Sequence, residues 1–497
     1  MPEILLSTLN ARYVHAAFGL RYLLANLGEL RSRAAIREFD INQRPVDVAE
    51  AILAENPSIL GLGIYLWNVA PATELVAILR RLRPGLVIVL GGPEVSHEWE
   101  GQEIVRLADH VVTGEADLAF GDLCRGLLSG NPPAAKIIHA PLPDPAKVAL
   151  PYDLYDERDC AHRVVYVEAS RGCPFTCEFC LSSLEVPVRQ FPLDAFLSSM
   201  QSLLDRGVRQ FKFVDRTFNL NLMVARRILG FFLERWTPGL FVHFEMVPDR
   251  LPAELRELIA RFPPGALQFE VGIQTFDLAV ERLVSRRQDH GRLEDNLRWL
   301  RASTGVHVHA DLIAGLPGET LGTFAAGFDR LLGLGPQEIQ VGILKRLRGT
   351  PIIRHDAEFA MVYNPAPPYE VLSTRDLDFA TLARLRRFAG FWGLFGNSGH
   401  FAAALPLLWE DGASPFARFM AFSDWLHQQG GKPSGIARQR QHAFLGEYLL
   451  SVPGLPEALV RERMLRDQTP RRRPAPDAGG HPNLPERQAR HLEAAGS

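Results

Sequence analysis

The chain has 497 residues, with 54 Lys and Arg against 57 Asp and Glu and a net charge of −3, so its overall balance gives no nucleic-acid footprint. Hydrophobic residues make up 47% and charged residues 22% of it, the balance of packed globular domains, and the length predicts two or three of them. The longest apolar run, 58–72, contains Asn68 and Pro71 and is too short to span a bilayer. The opening "MPEILLSTLNARYVHAAFG" lacks a secretion-signal pattern, so a cytoplasmic, reducing location is expected.

Residues 1–135 alternate short β-rich runs with helical patterns. Strands are predicted at 3–9, 35–40, 59–66, 86–92 and 110–114. A helix is predicted over 73–83, with Leu75, Val76, Leu79 and Leu82 at helical spacing. The expected fold class is α/β, beginning with a Rossmann-like, doubly wound parallel sheet. Ligands of such sheets bind beyond the carboxyl ends of the strands, which singles out 10–15, 65–68, 91–96 and 113–117. No G-x-G-x-x-G follows the first strand, which removes the usual dinucleotide reading. Gly91-Gly92 alone reads as a tight turn and Trp67 as a core or edge aromatic; their convergence at one sheet edge makes them candidates. Residues 136–160 read as a linker.

Over 161–350 the alternation resumes with a longer period, and strands are predicted at 163–170, 210–215, 240–246, 266–274, 306–315 and 338–344. Six β/α units make a partial barrel, with its site expected at the carboxyl ends of the strands. Polar residues recur there: Asp215, Asn219, Glu245, Glu270, Gln274, Asp311 and Lys345. After the first of these strands comes "SRGCPFTCEFCLSS", which holds Cys173, Cys177 and Cys180 but no fourth thiol or imidazole. A disulfide framework wants an even count in a small secreted chain. Structural zinc wants a fourth ligand and a different spacing. An iron–sulfur cubane on three cysteines leaves one iron open to an outside ligand, and an open iron implies chemistry.

The C-x3-C-x2-C run with Phe179 before its last cysteine, placed after the first strand of a six-unit partial barrel, resembles the radical S-adenosylmethionine (SAM) superfamily. "DLIAGLPGET" (311–320) resembles the fifth-strand segment of the branch that includes methylthiotransferases and cobalamin-dependent enzymes. "LGGPE" and "TGEAD" in the first domain resemble that branch's cobalamin-binding domain. The resemblance implies a [4Fe–4S] cluster held by Cys173, Cys177 and Cys180, with SAM on the open iron and reductive cleavage of SAM. It implies SAM contacts from Phe179, Asp215, Glu270, Gln274, Asp311 and Gly315, although Arg216 stands where many relatives carry a second acid. For cobalamin it points to Asn10, Tyr65, Trp67, Asn68, Gly91, Gly92, Pro93, Glu94, Gly114 and Glu115. The Asp-x-His-x-x-Gly cobalt-ligating motif is missing, so His15 reads as a loop or helix-start residue and Tyr65, Trp67 and Asn68 as candidates for the lower corrin face.

Residues 351–465 are expected to be mainly helical, with helices at 377–395 and 415–429, and "NPAPPYEVLST" and "FGNSGHF" resemble the C-terminal extension of uncharacterised members of this branch. Residues 466–497, rich in proline and arginine, are expected to be a disordered tail. The leading expectation is a cobalamin-dependent methyltransferase acting on an unactivated carbon of an unknown, small-molecule substrate, with a flavodoxin or ferredoxin as electron donor. A radical rearrangement or cyclisation without methyl transfer is the alternative. A methylthiotransferase is disfavoured because the first domain holds only Cys124, and a cobalamin or redox sensor because no output module is recognisable.

Overall fold

A computed structural model describes residues 1–184, 187–468, 487, 488, 490 and 491. The first sheet contains β1 (Ile4–Asn10), β2 (Ala34–Asp40), β3 (Ile59–Gly63), β4 (Val87–Gly91), β5 (His110–Thr113) and β6 (Ile137–His139). They pair in parallel in the order β2-β1-β3-β4-β5-β6. Because side chains alternate across a strand, Leu5 and Leu9 of β1 face one helical layer and Ile4 and Leu6 the other. Val48 and Ile52 of helix Pro45–Glu55 and Leu75 and Leu79 of helix Val69–Leu82 fill the first layer. Leu20 of helix Phe18–Ala25 and Phe120 of helix Ala119–Leu128 fill the second. The order reverses between β1 and β3, so the ligand crevice of this doubly wound sheet lies at their carboxyl ends.

The stretch 136–160 contributes β6 and most of helix Glu157–His162, whose capping box joins Asp156 and Asp159. The second sheet then starts with β7 (Val165–Val167). A short antiparallel ladder of β8 (Ser170–Arg171) and β9 (Arg189–Gln190) closes the base of the cysteine loop. The remaining strands are β10 (Gln210–Phe213), β11 (Phe241–Met246), β12 (Leu267–Gln274), β13 (His307–Ala314) and β14 (Glu338–Ile343). With β7 they form a parallel six-stranded partial barrel in the order β14-β13-β12-β11-β10-β7.

An open barrel leaves two strand edges unpaired, and both are covered, which is how exposed edges are kept from pairing with other chains. His15 bridges Val164 in parallel beside β7, and Val164 N donates to Val14 O at 3.1 Å. Beyond β14, Val371 N donates to Leu344 O at 2.8 Å, which begins a hairpin of β15 (Val362–Tyr363) and β16 (Val371–Ser373).

Helices Phe379–Phe395, Pro415–Gln428, Arg438–Ser451 and Glu457–Gln468 make the C-terminal part. Phe388 and Trp392 pack edge-on against Phe328 of the barrel helix Leu321–Leu334, and this part shares one hydrophobic core with the barrel. Of the segment expected as a tail, Arg466–Gln468 finish the last helix. Arg487 pairs with Glu338 at 2.8 Å, Arg490 Nε donates to Ser398 O at 2.7 Å and His491 Nε2 lies 3.0 Å from Asn397 O; residues 469–486, 489 and 492–497 fall outside the described residues. Among the described residues no helix is long and apolar enough to cross a membrane.

Candidate active site

Gly172, at φ +90°, turns the chain from β8 into the cysteine loop, a conformation that glycine adopts without steric cost. Glu178, buried between Cys177 and Phe179, then pins the loop to the barrel. Its carboxylate accepts from Ser285 Oγ at 2.6 Å, lies 2.9 Å from His355 Nε2 and pairs with Arg354. Cys173 and Cys177 are buried and Cys180 is partly exposed, and burial pushes the Cys173 and Cys177 thiols up. Arg286 counters this at Cys177, with Nη1 3.6 Å from Sγ, while its Nε donates to Ile273 O at 3.2 Å.

All three thiols line one cavity of about 190 Å³. Among the described residues no three His, Cys, Asp or Glu side chains converge on a single-ion site. The cavity gathers Phe179 from the loop, Glu270 and Gln274 from β12, and Asp311 from β13, all anticipated as SAM contacts. Gln274 holds φ at +72°, unusual for a residue with a side chain, beside a register shift between β12 and β13. Gln274 Oε1 and Asp311 Oδ1 are buried and make no hydrogen bond, although His309 Nε2 stands 3.4 Å from Asp311 Oδ1. Burial, reinforced by Glu270 and Glu245, pushes the Asp311 carboxyl well above the usual range. Burial would also raise Glu270, but the hydrogen bond from His243 and the charge of Lys212 outweigh it and hold Glu270 at about 2. Unpaired acceptors in a polar cavity are costly unless a donor arrives. The hydroxyls and ammonium group of SAM are such donors, and the thiols suit an iron–sulfur cluster, so this residue set fits both groups.

Two anticipated contacts lie elsewhere. Asp215 turns away from the cavity and accepts from Ala169 N at 3.0 Å and Ser170 Oγ at 2.6 Å, and burial pushes its pKa up to about 7. Gly315, at φ +90°, faces the C-terminal part, where a β-carbon would stand 2.6 Å from Val371 Cγ1. In exchange the cavity takes Arg216, ion-paired with Glu245 at 2.8 Å, as well as Arg286. No sequence motif marks Arg286; it sits in a basic stretch that reads as solvated loop.

At the carboxyl end of the first sheet lies a second cavity, of about 180 Å³, lined by Gly19, Gly63, Tyr65, Gly91, Gly92, Gly114 and Phe120 among others. Its walls are mostly glycine backbone and aliphatic and aromatic carbon, with Asp117 and Arg171 as charged members, a cradle that larger side chains would fill and that suits the flat apolar surfaces of a corrin and its tail. Other residues anticipated for cobalamin have different partners. Asn68 is fully buried, accepting from Tyr65 N at 2.8 Å and donating to Thr8 Oγ1 at 3.0 Å. Trp67 stacks on Tyr65 with ring centroids 4.5 Å apart and is half exposed. Asn10 donates to Glu38 at 2.6 Å. Pro93 opens a short turn in which Glu94 accepts from Tyr369 Oη at 2.6 Å and Arg348 Nε at 2.8 Å. Glu115 pairs with Arg171 and Arg189. His15 lies against the barrel, its Nδ1 2.6 Å from Tyr166 Oη.

A three-thiol loop at the carboxyl ends of a parallel partial barrel, joined to a doubly wound sheet with a glycine-walled crevice, defines the class of radical SAM proteins with a corrin-type accessory domain. Family models match the three parts in order: B12 binding domain at 5–124, Radical SAM superfamily at 167–331, and a protein of unknown function family, DUF4080, at 357–475. The chain is thus a radical SAM superfamily protein with an N-terminal B12 binding domain and a C-terminal DUF4080 region. It is 24% identical over 317 residues to the 2-(S-pantetheinyl)-carbapenam-3-carboxylate methyltransferase of Streptantibioticus cattleyicolor, covering 57% of this chain and 46% of that one. It is 24% identical over 340 residues to the cobalamin-dependent radical SAM methyltransferase TokK of Streptomyces tokunonensis, covering 60% and 48%. The chain therefore spans about half the length of these curated relatives. The cobalamin-dependent SAM radical enzyme OxsB, solved with aqua-cobalamin bound, shares the fold with a TM-score of 0.62 at 13% identity, over 99% of this chain and 83% of that one.

Proposed function

We infer that this protein is a cobalamin-dependent radical SAM methyltransferase that methylates an unactivated carbon of a small-molecule substrate. The observation that carries this reading is the adjacency of the two cavities, since Arg171 lines the glycine-walled one and stands two residues before Cys173. When bound, the cluster and SAM supply one-electron cleavage chemistry and the corrin supplies a carrier for the methyl group.

The chain's own residues position and enclose these groups. Cys173, Cys177 and Cys180 would hold the cluster, with Glu178 and Arg286 fixing the loop that presents them. Gln274 and Asp311 would accept hydrogen bonds from SAM, and Phe179 would pack on its apolar surface. A third cavity, of about 600 Å³, lies between β14 and helix Phe379–Phe395 and shares Phe179 with the cysteine cavity, so it offers a substrate its approach. Electrons would come from a flavodoxin or ferredoxin.

The test is anaerobic reconstitution of the full chain with iron, sulfide and hydroxocobalamin. About four irons and four sulfides per chain, together with retained corrin, are expected. Alanine at Cys173, Cys177 or Cys180 should abolish the cluster, while Cys124→Ala and Cys160→Ala should keep it. Iron retained in all three single variants, or a wild-type protein that binds no corrin, would overturn the reading.

A further inference from the structure

The base of the cysteine loop is gripped from the first domain. Arg171, on β8 before the loop, donates through Nη1 to Glu115 Oε2 at 3.0 Å and to Asp117 Oδ2 at 2.7 Å, and through Nη2 to Asp117 Oδ1 at 3.1 Å. Its Nε donates to Glu168 Oε1 at 2.8 Å, and its guanidinium lies over the rings of Tyr22 and Phe191. Arg189, on β9 after the loop, donates through Nη1 to the same Glu115 Oε2 at 3.1 Å. One carboxylate of the first domain therefore holds both ends of the loop that carries the three thiols. All four side chains are largely buried, with 7 to 15% of their surface exposed, so the pairing is shielded from solvent.

Two of the four, Asp117 and Arg171, reach the glycine-walled cavity and form part of its wall beside Gly114. A molecule seated there touches the clasp directly, and only Gly172 separates Arg171 from Cys173. Anything that orders one side of the clasp lowers the cost of ordering the other.

We propose that the Glu115–Asp117 clasp on Arg171 and Arg189 couples the two cofactor sites, so that a filled cluster loop tightens cobalamin binding and bound cobalamin stabilises the cluster loop. This rests on the proposed function. Linkage requires the two effects to be equal in factor. Glu115, Asp117, Arg171 and Arg189 are positioning residues here, acting through the loop and the cavity wall.

The experiment is equilibrium dialysis of hydroxocobalamin against the full chain, with and without its cluster, for the wild type and for Glu115→Gln and Asp117→Asn, with iron content and thermal midpoint recorded for each. The wild type should bind cobalamin about 5-fold or more tightly when the cluster is present, within the usual range of such couplings. Glu115→Gln should bring that ratio within about twofold of unity, and Asp117→Asn should lower it to an intermediate value. Asp117→Asn keeps the Glu115 bonds and so serves as the test if Glu115→Gln does not fold. A wild-type ratio of one, or variants that keep the wild-type ratio, would overturn the coupling while leaving the functional reading in place. A wild type that binds iron but no cobalamin would overturn both, and the two failures are told apart by corrin content alone.

Discussion

A β-carbon placed on Gly92 would stand 2.4 Å from the carbonyl oxygen of Ile64, and Gly92 holds φ at +107°. The family resemblance makes Gly92 a candidate cobalamin contact, but the backbone of Ile64 by itself already requires glycine here. Gly92→Ala should therefore destabilise the cofactor-free protein by roughly 1–3 kcal/mol, the scale of strain at such backbone angles. At Gly91 the nearest atom to an added carbon is Val112 O at 3.6 Å, an ordinary contact, so Gly91→Ala should cost less than half as much. Urea unfolding of both variants without cofactors checks this; equal midpoints would contradict it.

The two domains also meet at a buried ionic network. Glu38 accepts from Arg21 at 2.7 Å and Arg163 at 3.0 Å, while Arg21 reaches Asp159 at 2.6 Å. Removing one partner from a buried network leaves charge uncompensated, at a cost of about 3–5 kcal/mol. Glu38→Gln should show a loss of that order in chemical denaturation. A change below about 1 kcal/mol, the value of an exposed pair, would mean that water reaches the network.

Glu319 supplies a pH signature away from the thiols. Burial pushes its carboxyl up to about 8, against 4.5 for the free group. Its contribution to stability is thus complete below pH 4.5 and is lost as pH rises through about 8, because the unfolded chain releases this proton first. Glu319→Gln stays neutral at every pH, so the variant's thermal midpoint should gain on the wild type from pH 5 to pH 9. Parallel curves would contradict the assignment.

Asp311→Asn keeps the shape of the side chain but presents an amide to the SAM donors, so Oδ1, which makes no hydrogen bond within the chain, loses acceptor strength. About a tenfold loss of SAM affinity is expected, the cost of one hydrogen bond to a charged group, with iron content unchanged. Unaltered SAM binding would place Asp311 outside the contact set.

Much of this was legible because period and spacing carry it. Alternating strands, the helix about 73–83 and the cysteine loop follow from residue order, and Phe179 in that loop, Gln274 at the end of β12, and Glu270 and Asp311 within β12 and β13 share a cavity because all belong to one barrel. Asp215 and Gly315 stand at strand ends too, but one bonds the backbone beside β8 and the other admits Val371. Which way a strand-end residue turns depends on neighbours distant in sequence. Glu178 with Ser285, Arg286 with Cys177, and the clasp of Glu115 and Asp117 on Arg171 and Arg189 were hidden for the same reason, since the two members of each of these pairs lie 54 or more residues apart.

The most direct measurement of the central claim is the product set formed from SAM by the fully reconstituted protein under reducing, anaerobic conditions with an extract of candidate small molecules. A cobalamin-dependent radical methyltransferase should form S-adenosylhomocysteine, from methyl donation, and 5′-deoxyadenosine, from reductive cleavage, with both dependent on Cys173, Cys177 and Cys180. 5′-Deoxyadenosine without S-adenosylhomocysteine would contradict methyl transfer and point to rearrangement or cyclisation, and the absence of both would contradict the account as a whole.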